Sequence, residues 1–218
     1  MTLHQVPVAN KDKVIIVGAG IGGLASSLRL SHLGYDVEVI ERANGAGGKL
    51  RTITGSTGEI DIGPTVLTLL PIFQKLFKSV GEDIFEHVDL VRQKIIARHW
   101  WPDGTSLDLH DDFETSRDAI MKFSGSSSAI EFEKYFCDTR DLFACFDLPV
   151  MQNPRPSILD MNRAVLSNPK ILSKMHPLRT LSSLLNYKFQ DIRLRQLFGR
   201  YATYVGGSPL ESPALLSL

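Results

Sequence analysis

The sequence predicts an α/β fold built on a parallel β-sheet, and three features near its start carry that prediction. Val14 to Val17 form a continuous apolar run of the kind that is buried on both faces of a parallel sheet. Gly18, Gly20 and Gly23 follow in the spacing G-x-G-x-x-G and lead into apolar residues at helical spacing. The stretch DVEVIE then predicts a second strand that ends at Glu41. This order of strand, turn, helix and strand is typical of a βαβ unit.

The glycine spacing also indicates what such a unit binds. Gly18 permits the tight turn from strand to helix, Gly20 lets a pyrophosphate approach the backbone, and Gly23 allows close packing of helix and strand. The helix N-terminus then presents free N–H groups and its positive dipole end to phosphates. Glu41 lies where a carboxylate accepts hydrogen bonds from ribose hydroxyls, and its charge disfavours NADP. We interpret the segment as a dinucleotide site, the alternative being a βαβ unit with a merely tight turn.

A second glycine-rich segment follows Glu41 directly. Gly45, Gly47 and Gly48 form a flexible loop, and Lys49 and Arg51 come after it. The stretches LRTIT and GEIDIG, which flank GSTG, predict a short hairpin. The two basic residues fit either a cofactor contact or a solvated basic loop.

This segment resembles the second fingerprint of the FAD oxidoreductases that include amine oxidases, protoporphyrinogen oxidases and carotenoid desaturases. Lys49 stands where that family usually has arginine, which keeps the charge but loses the planar fork. The residues that match the family pattern are Glu41, Arg42, Gly47, Gly48, Thr52, Asp61 and Gly63. The resemblance implies FAD as cofactor. The predicted cofactor-binding residues are Gly18, Gly20, Gly22, Gly23, Glu41, Arg42, Gly48, Lys49, Asp61, Gly63, Pro64 and Thr65.

Composition excludes several other classes of protein. Lys+Arg and Asp+Glu both number 24 in 218 residues, so the net charge of zero gives no support to nucleic-acid binding. Cys137 and Cys145 have no nearby Cys or His partners, which argues against a zinc site or a disulfide framework, and Cys137 fits a small core residue. No apolar run reaches the length of a membrane span, and the first residues lack the core of a secretion signal. We expect a cytoplasmic protein or one attached to a membrane surface.

The middle of the chain predicts a series of helices around one hairpin. Residues 69–81 predict an amphipathic helix stopped by Gly81, and residues 94–110 predict a hairpin around the turn PDG. Asp111 is the predicted N-cap of the next helix, with Glu114 three residues later in a capping-box-like pair. Residues 126–146 predict a further helix.

From Pro149 onward the sequence predicts short helical pieces with basic residues scattered among leucines. Such a pattern suits a surface that lies on a bilayer, with Lys and Arg at the headgroups and leucines in the acyl boundary. It also suits a set of short core helices with solvated charges, and the sequence favours this second interpretation slightly.

The last stretch, DIRLRQLFGRYATYVGG, resembles bacterial carotenoid desaturases, in which an Arg-x-Arg-Gln-x-Phe helix leads to Arg-Tyr-Ala-Thr-Tyr-Val-Gly. The stretch DIGPTVLT, residues 61–68, fits the same family. The nearest branch is that of the hydroxyneurosporene or methoxyneurosporene desaturases, beside the phytoene desaturases. The residues that carry the resemblance are Arg193, Arg195, Gln196, Phe198, Arg200, Tyr201, Ala202, Thr203, Tyr204, Val205 and Gly206.

The resemblance implies an organisation in two domains. Residues 1–68 would form the N-terminal part of a Rossmann-type FAD-binding domain with an incomplete parallel sheet. Residues 69–218 would form part of an inserted α+β substrate domain that faces the membrane. Because family members are about twice as long, we expect a truncated chain that lacks its C-terminal remainder. Alone, it is expected to be inactive and to retain little FAD.

The resemblance also implies a reaction, the FAD-dependent removal of two hydrogens from an acyclic carotenoid such as a hydroxyneurosporene- or phytoene-type polyene. Arg200, Tyr201 and Tyr204 fit the lining of a polyene channel and fit a packed aromatic corner equally well. No residue is assigned as catalytic acid or base, no metal is expected, and His32 is taken as structural. Two alternatives stay open, an amine-oxidase-like flavoenzyme and a non-catalytic remnant that binds lipid. The sequence leaves the oligomeric state and the flavin reoxidant open.

Overall fold

The computed structural model describes residues 12–64 and 66–217. The chain forms two compact units, one that ends at Val91 and one that begins at Arg92. The helices and strands of the first unit are β1 (Lys13–Val17), α1 (Ile21–His32), β2 (Asp36–Ile40), β3 (Thr52–Gly55), β4 (Gly58–Asp61) and α2 (Leu70–Lys78).

The predicted βαβ unit is confirmed in the first unit. β1 and β2 pair in parallel, with Val14 opposite Val37 and Val17 opposite Ile40. The α1 helix connects the two strands and packs on one face of the pair. The expectation that β1 is buried on both faces is wrong for the described residues, since Ile15 and Val17 are 56% and 85% exposed. These side chains are exposed because α1 covers only one face of the pair formed by β1 and β2.

The next two predicted elements are also present. β3 and β4 form an antiparallel hairpin in which Thr52 lies opposite Asp61. The α2 helix spans most of the predicted segment and has Pro71 in its first turn, where a missing N–H costs nothing. It ends at Lys78, and Gly81 then takes a φ of +84°.

The second unit consists of one hairpin and six helices within its described residues. The predicted hairpin is confirmed as an antiparallel pair with His99 opposite Leu107. The helix predicted at residues 126–146 is confirmed with the same bounds. The elements are β5 (Ile95–Trp100), β6 (Ser106–His110), α3 (Phe113–Ser124), α4 (Ser126–Phe146), α5 (Ile158–Ser167), α6 (Ile171–Met175), α7 (Leu181–Lys188) and α8 (Ile192–Gly199).

The predicted N-cap of α3 is wrong by one residue. The side chain of Asp112, not Asp111, accepts the hydrogen bond from the Thr115 backbone N–H at 2.8 Å. Asp111 instead pairs with Arg92 at 2.6 Å. The hairpin decides the difference, because β6 continues to His110 and the helix begins only at Phe113.

The core of the second unit is aromatic and centres on α4 and α8. Phe189 and Phe198 stack with ring centroids 5.0 Å apart, and Tyr135 packs 5.0 Å from Phe198. Trp101 donates from its indole nitrogen to the Gln196 side-chain oxygen at 2.9 Å. The α8 helix, which opens the motif that resembles the desaturases, is therefore fixed against the hairpin as well as against α4. No helix in the described ranges combines the length and apolarity that crossing a bilayer requires.

Candidate dinucleotide-binding site

The loop from β1 to α1 has the geometry that the glycine spacing predicts. Gly18 takes a φ of +100°, which favours glycine, and its N–H extends the parallel ladder to the Ile40 carbonyl at 2.7 Å. Gly20 is extended and precedes the first helical residue, Ile21. Within the described residues no side chain caps α1, so its first N–H groups are available to an anionic ligand.

Gly23 sets the distance between the helix and the strand. A Cβ atom there would collide with the carbonyl oxygen of Gly18 and stand 3.4 Å from a methyl carbon of Ile16. A Cβ on Gly22 would meet no atom within 4 Å, and one on Gly20 would make only an ordinary contact with Gly48 at 3.8 Å. Gly23 is therefore required by packing, whereas Gly20 and Gly22 leave open space beside the loop.

The carboxylate of Glu41 points to this loop. One oxygen accepts the backbone N–H of Ala19 at 2.7 Å and the other accepts that of Ala43 at 2.9 Å. These hydrogen bonds, from Ala43 first and Ala19 second, hold the pKa of Glu41 below its ordinary value, with a smaller contribution from Arg42. A carboxylate has about four acceptor positions, so two remain for a ligand.

The second glycine-rich loop contacts the first. The N–H of Gly47 donates to the Ala19 carbonyl at 2.8 Å, and the backbones of Gly20 and Gly48 approach so closely that a Cβ on Gly48 would lie 2.9 Å from the Gly20 Cα. Gly48 has a φ of +62°. The two loops and Glu41 thus lie together at the carboxyl ends of β1 and β2, where open α/β sheets bind their ligands.

The remaining predicted residues lie along the following hairpin. Lys49, Gly63 and Pro64 line one cavity of about 490 Å³ with Arg51 and Ile62. Gly63 is required there, since a Cβ would collide with the Lys49 carbonyl oxygen.

Two further predicted residues do not line this cavity. Arg42 is exposed directly after Glu41, and Asp61 is exposed at the end of β4. Thr65 lies outside the described residues.

The described residues fit the adenosine diphosphate part of a dinucleotide. The uncapped end of α1 supplies N–H groups, the glycines leave room for phosphates, and Glu41 is held at the loop with free acceptor positions.

The second unit contains a separate cleft of about 460 Å³ with aromatic walls. Tyr201 lines this cleft and also packs against the core. Arg200 lines another cavity, and Tyr204, which is 73% exposed, lines neither. The sequence analysis missed Tyr135, although Phe132, Tyr135, Phe136 and Thr139 stand at helical spacing on one face of α4 and all line the cleft.

Comparison with known proteins agrees with the geometry of the first unit. Residues 16–82 match the family described as NAD(P)-binding Rossmann-like domain. This match covers the end of β1, the glycine loop, Glu41, the hairpin and α2.

Whole sequences extend the likeness through both units. The hydroxyneurosporene desaturase of Cereibacter sphaeroides is 42% identical over 94% of this chain, and that of Rhodobacter capsulatus is 40% identical over 96%. The chain is homologous to the hydroxyneurosporene desaturases. It spans 42% of the length of each of these two relatives.

The fold has a likeness beyond these desaturases. The structure of wild-type putrescine oxidase bound to putrescine matches 95% of this chain and 40% of its own, with a TM-score of 0.58 and 18% identity. At this identity the match concerns the fold, and it confirms the predicted α/β class with a Rossmann-type unit.

Proposed function

We propose that this chain belongs to an FAD-dependent carotenoid desaturase, which removes two hydrogens from an acyclic polyene of the hydroxyneurosporene or phytoene type. The observation that carries the proposal is the homology to hydroxyneurosporene desaturases across both compact units. A likeness confined to the first unit would indicate only a nucleotide-binding fold.

The first unit would hold the adenosine diphosphate of FAD. The N–H groups at the start of α1 would meet the pyrophosphate, and Glu41 would accept hydrogen bonds from the ribose. Lys49 and Pro64, beside the hairpin, would face the rest of the cofactor. Bound FAD would supply the two-electron acceptor that removal of two hydrogens from a polyene requires.

The second unit would hold the polyene. Six aromatic side chains line its cleft, including Phe113, Phe136 and Tyr201, and this aromatic part of the lining suits an apolar conjugated ligand. Its apolar walls would orient the polyene and exclude water. The proposal assigns no catalytic acid or base.

Peripheral contact with a membrane is the second part of the proposal. Several large apolar side chains between residues 148 and 178 are strongly exposed, among them Ile158 at 77%, Leu166 at 77% and Leu178 at 99%. Arg155 and Arg163 are exposed in the same segment. Apolar and basic residues on one segment suit the interface of an anionic bilayer, from which a carotenoid is drawn.

Membrane contact is tested by flotation with anionic vesicles. The variants Leu166→Glu and Leu178→Glu should float less than the unaltered chain, while Leu210→Glu, at a position 70% exposed outside the segment, should float equally. If all variants float as well as the unaltered chain, this part of the proposal is wrong.

Desaturation is tested in a chimera. The chain replaces the matching segment of the Cereibacter sphaeroides desaturase, and the product is analysed in cells that accumulate hydroxyneurosporene. We expect a product with two fewer hydrogens and a longer absorption wavelength, and less of this product when the chimera carries Glu41→Gln. A chimera that folds, binds FAD and leaves the polyene unchanged would contradict the proposal. Oxidation of an amine by that chimera would favour the amine-oxidase-like alternative.

A further inference from the structure

A cavity of about 370 Å³ in the second unit is lined by Arg195 and Arg200 and, among the described residues, by no acidic side chain. Its lining comes from α7, α8 and the residues that follow α8, and Ser182 contributes a hydroxyl from α7. None of its lining residues lines the aromatic cleft, so the two cavities are distinct. The cavity therefore has two positive charges in its walls and no carboxylate to balance them.

Backbone oxygens hold the Arg195 side chain in place. Its Nε donates to the Phe189 carbonyl at 2.7 Å, and its Nη2 donates to the Gln190 carbonyl at 2.8 Å. Its Nη1 makes a longer contact of 3.4 Å with the side-chain oxygen of Asn186. These partners are neutral, so the guanidinium is oriented without losing its charge. An arginine has more N–H donors than these contacts use, and the others remain for a ligand.

Arg200 is the less satisfied of the two arginines. Its Nε is buried and has no hydrogen-bond partner among the described residues. Its guanidinium lies 5.4 Å from the centroid of the Tyr201 ring, a cation–π contact that offsets part of the charge but supplies no oxygen acceptor. Arg193, in contrast, lies against the Asp191 carboxylate at 2.8 Å.

The charge of Arg200 also acts on His99 of β5. Burial makes the largest contribution to lowering the pKa of His99, and the positive charge of Arg200 lowers it further. A buried charged donor without a partner costs free energy, and an anion with oxygen acceptors would recover it.

We propose that this cavity binds a phosphate group, with Arg200 donating from Nε and Arg195 donating from the N–H groups that the backbone leaves free. Guanidinium groups suit phosphate because their planar N–H forks match its oxygens, and the Ser182 hydroxyl adds a donor. Free phosphate and the headgroup of an anionic phospholipid both present this chemistry. The site goes beyond flavin and polyene binding and requires neither.

Titration of the chain with inorganic phosphate at constant ionic strength tests the site. Trp101 donates to the side-chain oxygen of Gln196, which lines the cavity, so tryptophan fluorescence reports ligand there. We expect a saturable change with phosphate and none with chloride. Arg200→Gln should weaken the affinity for phosphate roughly tenfold or more, because a hydrogen bond between charged groups is lost.

Three further variants separate phosphate recognition from general charge and from folding. Arg200→Lys keeps the charge but loses the planar fork, so it should recover only part of the affinity. Ser182→Ala should weaken phosphate binding less than Arg200→Gln does, and it tests the site without removing an arginine. Arg140→Gln removes the same charge from α4, outside the cavity, and should bind phosphate normally.

Flotation with phosphatidylglycerol vesicles in phosphate-free buffer distinguishes the two sources. Weaker flotation of Arg200→Gln than of Arg140→Gln, without binding of inorganic phosphate, would assign the headgroup as ligand. Binding of inorganic phosphate that Arg200→Gln weakens, with equal flotation of the two variants, would assign free phosphate, and an effect in both assays would support the shared chemistry. If the unaltered chain binds neither, or if Arg200→Gln behaves like the unaltered chain in both assays, the inference is wrong. Failure of the desaturase proposal is distinct, since it appears as unchanged polyene in the chimera.

Discussion

The carboxylate of Glu41 accepts a hydrogen bond from the backbone N–H of Ala19 at 2.7 Å. This contact ties the residue after β2 to the loop between β1 and α1, 22 residues earlier in the chain. The acidic side chain is thereby oriented before any ligand arrives, and orientation in advance lowers the entropic cost of binding.

Replacement of the Glu41 carboxylate should weaken dinucleotide binding. For Glu41→Gln we expect the affinity for FAD to fall by roughly tenfold or more, because hydrogen bonds to a charged acceptor are lost. Flavin fluorescence titration of the chimera with the Cereibacter sphaeroides desaturase measures this affinity. Glu38→Gln, which removes an exposed ion pair with Lys13 on the same sheet, is the matched control and should bind normally.

The ionisation of Glu41 determines how FAD affinity should depend on pH. Because its pKa lies below the ordinary 4.5, Glu41 is ionised throughout the neutral range. FAD affinity should stay constant as the pH falls to about 5 and decline only below the ordinary pKa. A decline centred near pH 6 would show that another group controls binding.

Two glycines of one motif should respond differently to alanine. Gly23→Ala forces a Cβ against the Gly18 carbonyl and should destabilise the first unit by about 3 kcal/mol, seen as faster hydrogen exchange in β1. Gly20→Ala has room for its Cβ and should cost below about 1 kcal/mol. It should nevertheless weaken FAD binding, because the methyl group stands where phosphate approaches. Normal FAD binding by Gly20→Ala would place the phosphates elsewhere.

Asp191 should control stability in acid. It caps α8, accepts from Ser124 and pairs with Arg193 at 2.8 Å, and the Arg193 guanidinium lowers the pKa of Asp191 from 3.8 to about 2. A lowered pKa stabilises the fold fully above pH 3.8, and this stabilisation disappears as the pH falls through about 2. The shift corresponds to about 2 kcal/mol.

Urea unfolding followed by tryptophan fluorescence between pH 7 and pH 2 measures this contribution. Asp191→Asn should lower the unfolding free energy at pH 7 and flatten its fall below pH 4. Asp118→Asn, on the exposed side of α3, should have the same pH dependence of the unfolding free energy as the unaltered chain. If the unfolding free energy of Asp191→Asn has the same pH dependence as that of the unaltered chain, Asp191 contributes nothing to acid stability.

The aromatic stack of the second unit should be stabilising at its inner end only. Phe198 is 5% exposed and touches four other rings, whereas Tyr204 is 73% exposed at the outer end. Phe198→Ala should cost about 3–5 kcal/mol and Tyr204→Ala less than about 0.5 kcal/mol in the same urea assay. Similar losses for both would mean that the stack extends its packing to Tyr204.

Elements that depend on short-range sequence patterns could be predicted, whereas contacts between distant segments could not. The strand, glycine turn and helix of residues 14–32 depend on neighbours within a few positions, and their prediction is confirmed. The N-cap of α3 was misplaced because Asp111 and Asp112 are equally good caps, and only the length of β6 chooses between them. Tyr135 was missed because its environment comes from Phe189 and Phe198, more than fifty residues away.

The sequence by itself determined the βαβ unit, the acidic end of its second strand and the helical character of the second unit, since turn chemistry and residue spacing encode each of them. Only the tertiary structure decided that Glu41 reaches the glycine loop and that Tyr135 lines the cleft of the second unit. Both are contacts between segments distant along the chain. Strand register and helix packing set such contacts, and no single segment specifies either.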